Sequence, residues 1–454
     1  MLASYDEDDI ADDELLTETG SGGVFTSGYL HDRPLIEYLA ESERVAYLLS
    51  NSKKGIRRES DAEASVHAPG DGYRAVAAVT DTRVLFVVGD GNGDEVFDVP
   101  HTEIEDVKTG RGMLTKHLDV WSTAGVCWQF YVKGTVDVEP AASYLERAAI
   151  VWSRAERQLQ HARKRFVDAN EAVSADEYDA AREALESARE HVAEAREMAE
   201  ELTSNRDDAI WERVRAGERR LAAAAFEAHR SHGQSLARAA ERAWRSEQYN
   251  AAYEDYVAAR ERFERALEVG RERGFAETAA VEERLGSVDE NLDQLAGSPL
   301  RRAREAHDRA KQADDPAAAV ERLEDALEKY QTALVLDWGH DDGHFAGDRE
   351  SLRSTVSRLA NEIELTRRTL AERARSRGDD HRDAGRTDRA REAYETARSH
   401  LEAALGIVRE LRPDLEDDLR EEIATVEAEL ERVEAGVGAG GFQFVGDAGT
   451  DADD

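Results

Sequence analysis

The residues whose types could do chemistry are few. His340, Asp342 and His344 alternate within WGHDDGHFAGD (338–348), and imidazole with carboxylate is a donor set that suits a divalent metal. No third, well-placed partner is evident, and loop histidines are common in so acidic a chain. The reading taken is a plain loop, with a metal-binding or enzymatic site near 340–344 as the alternative. Lys53, Lys54, Arg57 and Arg58 form a basic cluster able to meet an anion or a lipid headgroup. The competing reading is a charged strand edge that resists pairing with other chains. Gly436-Val437-Gly438-Ala439-Gly440-Gly441 satisfies G-x-G-x-x-G as a string, but it follows a helical pattern, whereas the dinucleotide motif must join a strand to a helix. The chain has no G-x-x-x-x-G-K-[ST], no H-E-x-x-H and no G-x-S-x-G. Carboxylates are so abundant that no particular acid/base pair stands out. No catalytic residue and no cofactor is assigned, and a non-enzyme is expected.

Composition bounds the rest. The 454 residues carry 98 acidic and 60 basic side chains, a formal charge of −38, and only eight of the basic residues are Lys. Such a composition resembles that of proteins from salt-accumulating archaea, where a Debye length of ~3 Å in molar salt screens the self-repulsion. It argues against nucleic acid as a partner, because binding a polyphosphate requires a basic face. Cys127 is the single cysteine, so no internal disulfide or thiolate metal cluster forms. No run approaches the ~18 apolar residues of a membrane span. No Lys or Arg precedes Arg33, unlike the basic start of a secretory signal, so a cytoplasmic location is expected.

The elements that would hold these residues fall into four segments. Residues 1–33 read as a disordered acidic tail, with Leu15-Leu16 or Val24-Phe25 as a docking peptide at most. Residues 34–150 change character. A short helix in LIEYLAESERVAYLL runs into a first strand, and strand-length apolar runs follow at 75–79 and 83–88, split by the turn-like Thr80-Asp81-Thr82. GDGNGD (89–94) reads as a hairpin turn, and further strands are expected at 95–99, 103–110, 117–122 and 126–132. The run Thr80-Asp81-Thr82-Arg83-Val84-Leu85-Phe86, then Val99-Pro100-His101 with Ile104, then Trp128 and Phe130, resembles bacterial and archaeal PH-like domains. The resemblance implies a bent seven-stranded sheet capped by one C-terminal helix, starting here near Ala141. Phosphoinositide-binding relatives use basic loops, whereas the Gly-rich turn here carries Asp90, Asp94 and Glu95.

From 151 to 435 the chain is rich in Ala, Glu, Arg and Leu, as long helices are. Around Tyr249, small residues stand at Ala240, Ala243, Ala252 and Ala259, with Tyr256 between them. This spacing resembles the tetratricopeptide-type helical hairpin. Related sets surround Tyr178, Pro316 and Thr387, so the anchors recur at intervals of 71, 67 and 71 residues. A tetratricopeptide unit is ~34 residues long, so each period holds either two hairpins or one elongated hairpin; the scarcity of breaks favours elongation in places, and a mixed array is expected. The stripe Leu415, Leu419, Ile423, Val426, Leu430 and Val433 would cap the array or pair two copies in a homodimer through 415–433. Residues 436–454 read as a flexible acidic tail.

The expected fold is therefore multi-domain α+β: a PH-like bent sheet with one C-terminal helix, then an all-α array of long antiparallel helices. The expected function is a non-catalytic adaptor that binds a partner protein or peptide through the array, with the PH-like module as a second contact. Tyr253, off the Ala252/Tyr256/Ala259 stripe, and Trp338 are the candidate partner-facing residues. Peripheral membrane contact through the Lys53–Arg58 cluster is the main rival. If the acidity is a salt adaptation, the thermal unfolding midpoint rises by several degrees between about 0.1 M and about 2 M KCl. A midpoint that ignores KCl would remove that reading.

Overall fold

The computed structural model describes residues 3–5, 12–23, 28–112, 115–336 and 347–439. Two compact units divide them: Met1–His232 with Glu264–Val281, and Gly233–Phe263 with Glu282–Asp454.

Among the described residues of the first unit, ten strands form two five-stranded sheets rather than one bent sheet of seven. The first holds β1 (Ala3–Tyr5), β2 (Val45–Asn51), β5 (Ala75–Thr80), β6 (Arg83–Asp90) and β7 (Gly93–Pro100) in the order β1-β2-β5-β6-β7. The second holds β3 (Ile56–Glu59), β4 (Ala64–His67), β8 (Ile104–Arg111), β9 (Thr115–Ser122) and β10 (Cys127–Lys133) in the order β4-β3-β10-β9-β8. The apolar runs AVAAVT and VLFVV become β5 and β6, which are covered on both faces. Their Ala77, Val79 and Phe86 pack with Leu118, Val120, Trp128 and Phe130 of the other sheet, and with Ala141 and Leu145 of helix α2 (Glu139–Ser174). Phe86 stacks at 6.0 Å on both Trp128 and Phe130. The opposite face, through Leu48, Val76, Ala78, Leu85 and Val87, is covered by Leu15, Leu30 and Leu35. Leu15 belongs to a short helix, α1 (Asp12–Thr17), so the reading of 1–33 as a disordered tail does not extend to these residues. Acidic composition hid two leucines that a sheet face buries. Val24 and Phe25 lie outside the described residues.

Nine long helices follow among the described residues. They are α2, α3 (Tyr178–Leu202), α4 (Ala209–Arg245), α5 (Tyr249–Arg273), α6 (Thr278–Lys311), α7 (Pro316–Leu334), α8 (Arg349–Asp383), α9 (Thr387–Leu411) and α10 (Glu416–Ala439). Each of the four anchors is the first residue of a hairpin's second helix, so the period is one elongated hairpin, with a first helix of 34–37 residues. The boundary expected at 150/151 falls inside α2, whose first turns pack under the sheets and whose remainder pairs with α3.

Three of the hairpins turn in the same way. Asp176, Glu247 and Gly385 take φ of 61°, 60° and 71°. The next residue's N–H then reaches back to a carbonyl of the last helical turn: Glu177 to Ala172 at 2.8 Å, Gln248 to Ala243 at 2.9 Å, Arg386 to His381 at 2.8 Å. This 6→1 closure uses carbonyls that the helix end leaves unsatisfied. The third hairpin instead places Pro316 in the first turn, with the Asp315 carboxylate accepting from the Ala318 N–H. At the Tyr249 and Thr387 anchors a small residue nine before makes room for the Tyr seven after. Ala240 and Tyr256 are fully buried. At Gly378, a Cβ would stand 2.7 Å from the Tyr394 ring.

The last helix closes the second unit. Leu419, Val426, Leu430 and Val433 are buried with Ala371 and Ala374 of α8 and Leu401, Leu405 and Val408 of α9. The chain itself therefore covers the stripe that was also read as a homodimer seam. Residues 440–454, most of the expected acidic tail, lie outside the described residues.

Tyr394 is held at both ends, its hydroxyl donating to Asp379 (2.7 Å) and accepting from Arg382 (3.0 Å), so its ring cannot yield. Gly378→Ala is expected to destabilise, because the roughly 1–3 kcal/mol of overpacking exceeds the ~1 kcal/mol gained in helix propensity. Gly406→Ala on α9 meets nothing within 4 Å and should stabilise by roughly 0.5–1 kcal/mol. Denaturation midpoints that move in the same direction for both variants would contradict this packing.

Candidate functional site

The first unit is built around the β5–β6 turn, where Thr80, Thr82 and Arg83 converge on Glu43. The Glu43 carboxylate, 2% exposed, accepts from Arg83 Nε (2.9 Å) and Nη2 (2.9 Å), from Thr80 Oγ1 (2.7 Å), from Thr82 Oγ1 (3.0 Å) and from the Ala40 N–H (2.9 Å). Burial opposes its ionisation. The Arg83 guanidinium and the hydrogen bonds from Ala40 and Thr80 outweigh burial and hold the carboxyl at about 2. Asp81 turns the other way, accepting from the Arg44 N–H (3.0 Å) and from the Ala209 N–H at the start of α4 (2.8 Å). Its own carbonyl takes the Trp152 indole N–H from α2 at 3.0 Å. Burial raises its pKa despite these bonds. His101 is fully buried, with Nε2 2.9 Å from the Thr80 carbonyl, and burial lowers its pKa to about 4, so it is neutral.

Beside this turn lies a cleft of about 790 Å³. Ser42, Thr82, Thr102, Trp152 and Glu156 line one part of it, and the first three turns of α4, with Arg213, Arg215 and Arg219, line the rest. Its walls are fixed. Gly217 brings α4 against α2, where a Cβ would stand 2.9 Å from Leu159. Arg206 lies 3.6 Å over the Trp211 ring and its carbonyl accepts from Arg215 Nη1 at 2.7 Å.

The second unit has a smaller groove of about 280 Å³ over Phe263, between the C-terminal part of α4 and α6. Gln234, Arg238, Glu241, Arg284, Ser287 and Asn291 line it. Gly233 permits the approach, a Cβ there standing 3.0 Å from the Phe263 ring. Arg238 Nε donates to the Gln234 carbonyl at 3.2 Å, and the exposed Arg284 meets no carboxylate among the described residues.

The residues singled out from sequence separate. Tyr253 is half-buried on α5 and does not line the groove, while its neighbour Tyr256 fills the hairpin interior edge-on to Trp244. Trp338, His340, Asp342 and His344 lie outside the described residues. Among the described residues no three His, Cys, Asp or Glu side chains come together as metal ligands. The basic cluster does not share one face. Arg57 and Arg58 are consecutive in β3, so they point to opposite sides of the sheet. Arg58 lies 5.4 Å over the Trp128 ring towards the core, whereas Arg57 pairs with Glu59 at 3.0 Å. Lys54 lies 5.1 Å over Tyr131 and reaches Thr115 Oγ1 at 3.3 Å. His232 stacks at 4.2 Å on Tyr178. Sequence reasoning missed the arginines of both clefts, because nothing in ERVRAGERR or in LARAAER distinguishes them from other helical arginines.

No family model and no curated protein matches this chain. No described helix is long and apolar enough to cross a membrane.

Because the folded-state pKa of Glu43 lies below its ordinary value, its stabilisation is complete above about pH 4.5 and is lost as pH falls towards about 2. Glu43→Gln is expected to lower stability at neutral pH by roughly 3 kcal/mol and to flatten the acid limb between those values. An acid-unfolding curve unchanged in shape would show that Glu43 is not the titrating group.

Proposed function

We propose that the chain is a non-catalytic adaptor that holds an extended segment of a partner protein in the groove over Phe263. The β region supplies a second contact. The observation that carries this reading is the groove's lining. Gln234 and Asn291 offer amides that can both donate to and accept from a peptide backbone, and Phe263 with Val288 forms an apolar floor. Arg238 and Arg284 outnumber Glu241, which favours a segment bearing an acidic side chain. The tetratricopeptide-like spacing and the PH-like motif support the same assignment, since both belong to modules used for assembly. The membrane-surface alternative loses its footing with the splitting of Arg57 and Arg58 to opposite faces.

The test is capture from native lysate in molar KCl with the full chain as bait, comparing wild type with Arg238→Glu/Arg284→Glu. A discrete protein held by wild type and released by the variant is the expected outcome. Equal retention by both would place the partner elsewhere on the chain, and no retention by either would end the adaptor reading.

A further inference from the structure

Many helical arginines in this chain end on a carboxylate, and others meet none among the described residues. Arg163 meets Glu156 at 3.3 Å, Arg302 meets Glu247 at 2.6 Å and Arg375 meets Glu429 at 2.5 Å. The cleft beside the β5–β6 turn gathers three of those others into one concave surface. Arg213 and Arg219 have no carboxylate partner among the described residues, and Arg215 is held only by the Arg206 carbonyl. Three guanidinium groups thus stand within two turns of α4, in a chain whose net charge is −38. The hydroxyls of Ser42 and Thr102 line the same cleft and also lack a partner among the described residues. We propose that this cleft binds a small phosphate monoester through Arg213, Arg219 and the free edge of Arg215.

The charge count selects phosphate. A carboxylate brings one negative charge, whereas a phosphate monoester brings close to two, with three acceptor oxygens suited to guanidinium forks. The first N–H of α4 does not contribute, because Asp81 already occupies it. Size selects an ester over the bare ion. The cleft's 790 Å³ falls in the range of small-molecule sites, roughly 300–1,000 Å³, and far exceeds an inorganic phosphate. Glu212, exposed on the rim with no partner among the described residues, suits a hydroxyl on the organic body of the ligand. Glu156 is already committed to Arg163, so it offers little repulsion. This site is independent of the groove over Phe263.

The experiment is titration calorimetry of the full chain in molar KCl with inorganic phosphate and with a pentose phosphate as probes. Saturable binding of both is expected, tighter for the ester. Arg213→Glu/Arg219→Glu should weaken it by about tenfold or more. Arg220→Glu, at an exposed arginine that does not line the cleft, should leave it unchanged within about twofold, since in molar salt a charge that does not touch the ligand is screened. Arg213→Gln/Arg219→Gln, which adds no negative charge, should also lose binding, and an unchanged far-UV spectrum and unfolding midpoint would show that both variants fold. Non-saturable heats for both probes would overturn the proposal, as would equal losses at Arg220 and at the cleft. Inorganic phosphate binding as tightly as the ester would overturn the assignment of an organic body.

Discussion

Asp81 ties three parts of the chain together. One carboxylate oxygen receives the Arg44 N–H before β2, the other receives the first N–H of α4, 128 residues further on, and its carbonyl holds the Trp152 indole of α2. A negative charge at a helix N-terminus also meets the positive end of the helix macrodipole. Burial pulls the other way, raising the pKa of Asp81, so the two N–H bonds offset a desolvation cost as well as cap a helix. The turn cannot shift to relax this, because Glu43 grips Thr80, Thr82 and Arg83 on either side. Hydrogen bonds to charged groups contribute roughly 1.5–3 kcal/mol each, so this turn is worth a large share of a typical domain's stability. The placement of the α4 arginines around their cleft depends on it.

Within the second unit the corresponding role falls to paired arginines. Arg367 binds Glu324 through two nitrogens, with Nε at 2.7 Å, and Arg375 binds Glu429 in the same forked way. Arg368 bridges Glu364 at 2.9 Å and Glu422 at 2.8 Å. These pairs join α7 to α8 and α8 to α10, fixing the register of helices whose apolar contacts are mostly alanine and leucine. A planar fork can do this where an ammonium cannot, which gives a structural reason for a chain so poor in Lys to keep its Arg.

The strands between 75 and 133 and the four hairpin anchors were legible in the sequence because each rests on a local period: continuous apolar runs for doubly covered strands, and small residues spaced against a tyrosine or leucine for the hairpins. β3 and β4 were not. Three of the four residues of Ile56–Glu59 are charged, and its role as a strand follows from pairing with β10, a contact about seventy residues away. The same adjacency that made Arg57 and Arg58 look like a patch separates them once they lie in a strand. The stripe from 415 to 433 was legible as an apolar face, but a stripe does not name what covers it, and here α8 and α9 do. The arginines of the cleft were illegible for the same reason. They become distinct only by standing opposite Ser42 and Thr102, which no spacing along α4 encodes.

Recognition by this chain must therefore be local. With a charge of −38, long-range forces repel acidic ligands, yet at ~0.15 M salt the Debye length is ~8 Å, and it shortens further as salt rises. Beyond that distance the total charge is screened, and what a ligand meets is the handful of groups lining the site. Guanidinium groups without carboxylate partners are then the main attractive feature for an acidic ligand, and both the cleft in the first unit and the groove in the second contain them. Forked hydrogen bonds act at contact and survive screening better than steering does. A chain built this way trades fast, electrostatically guided association for specificity set by contact geometry.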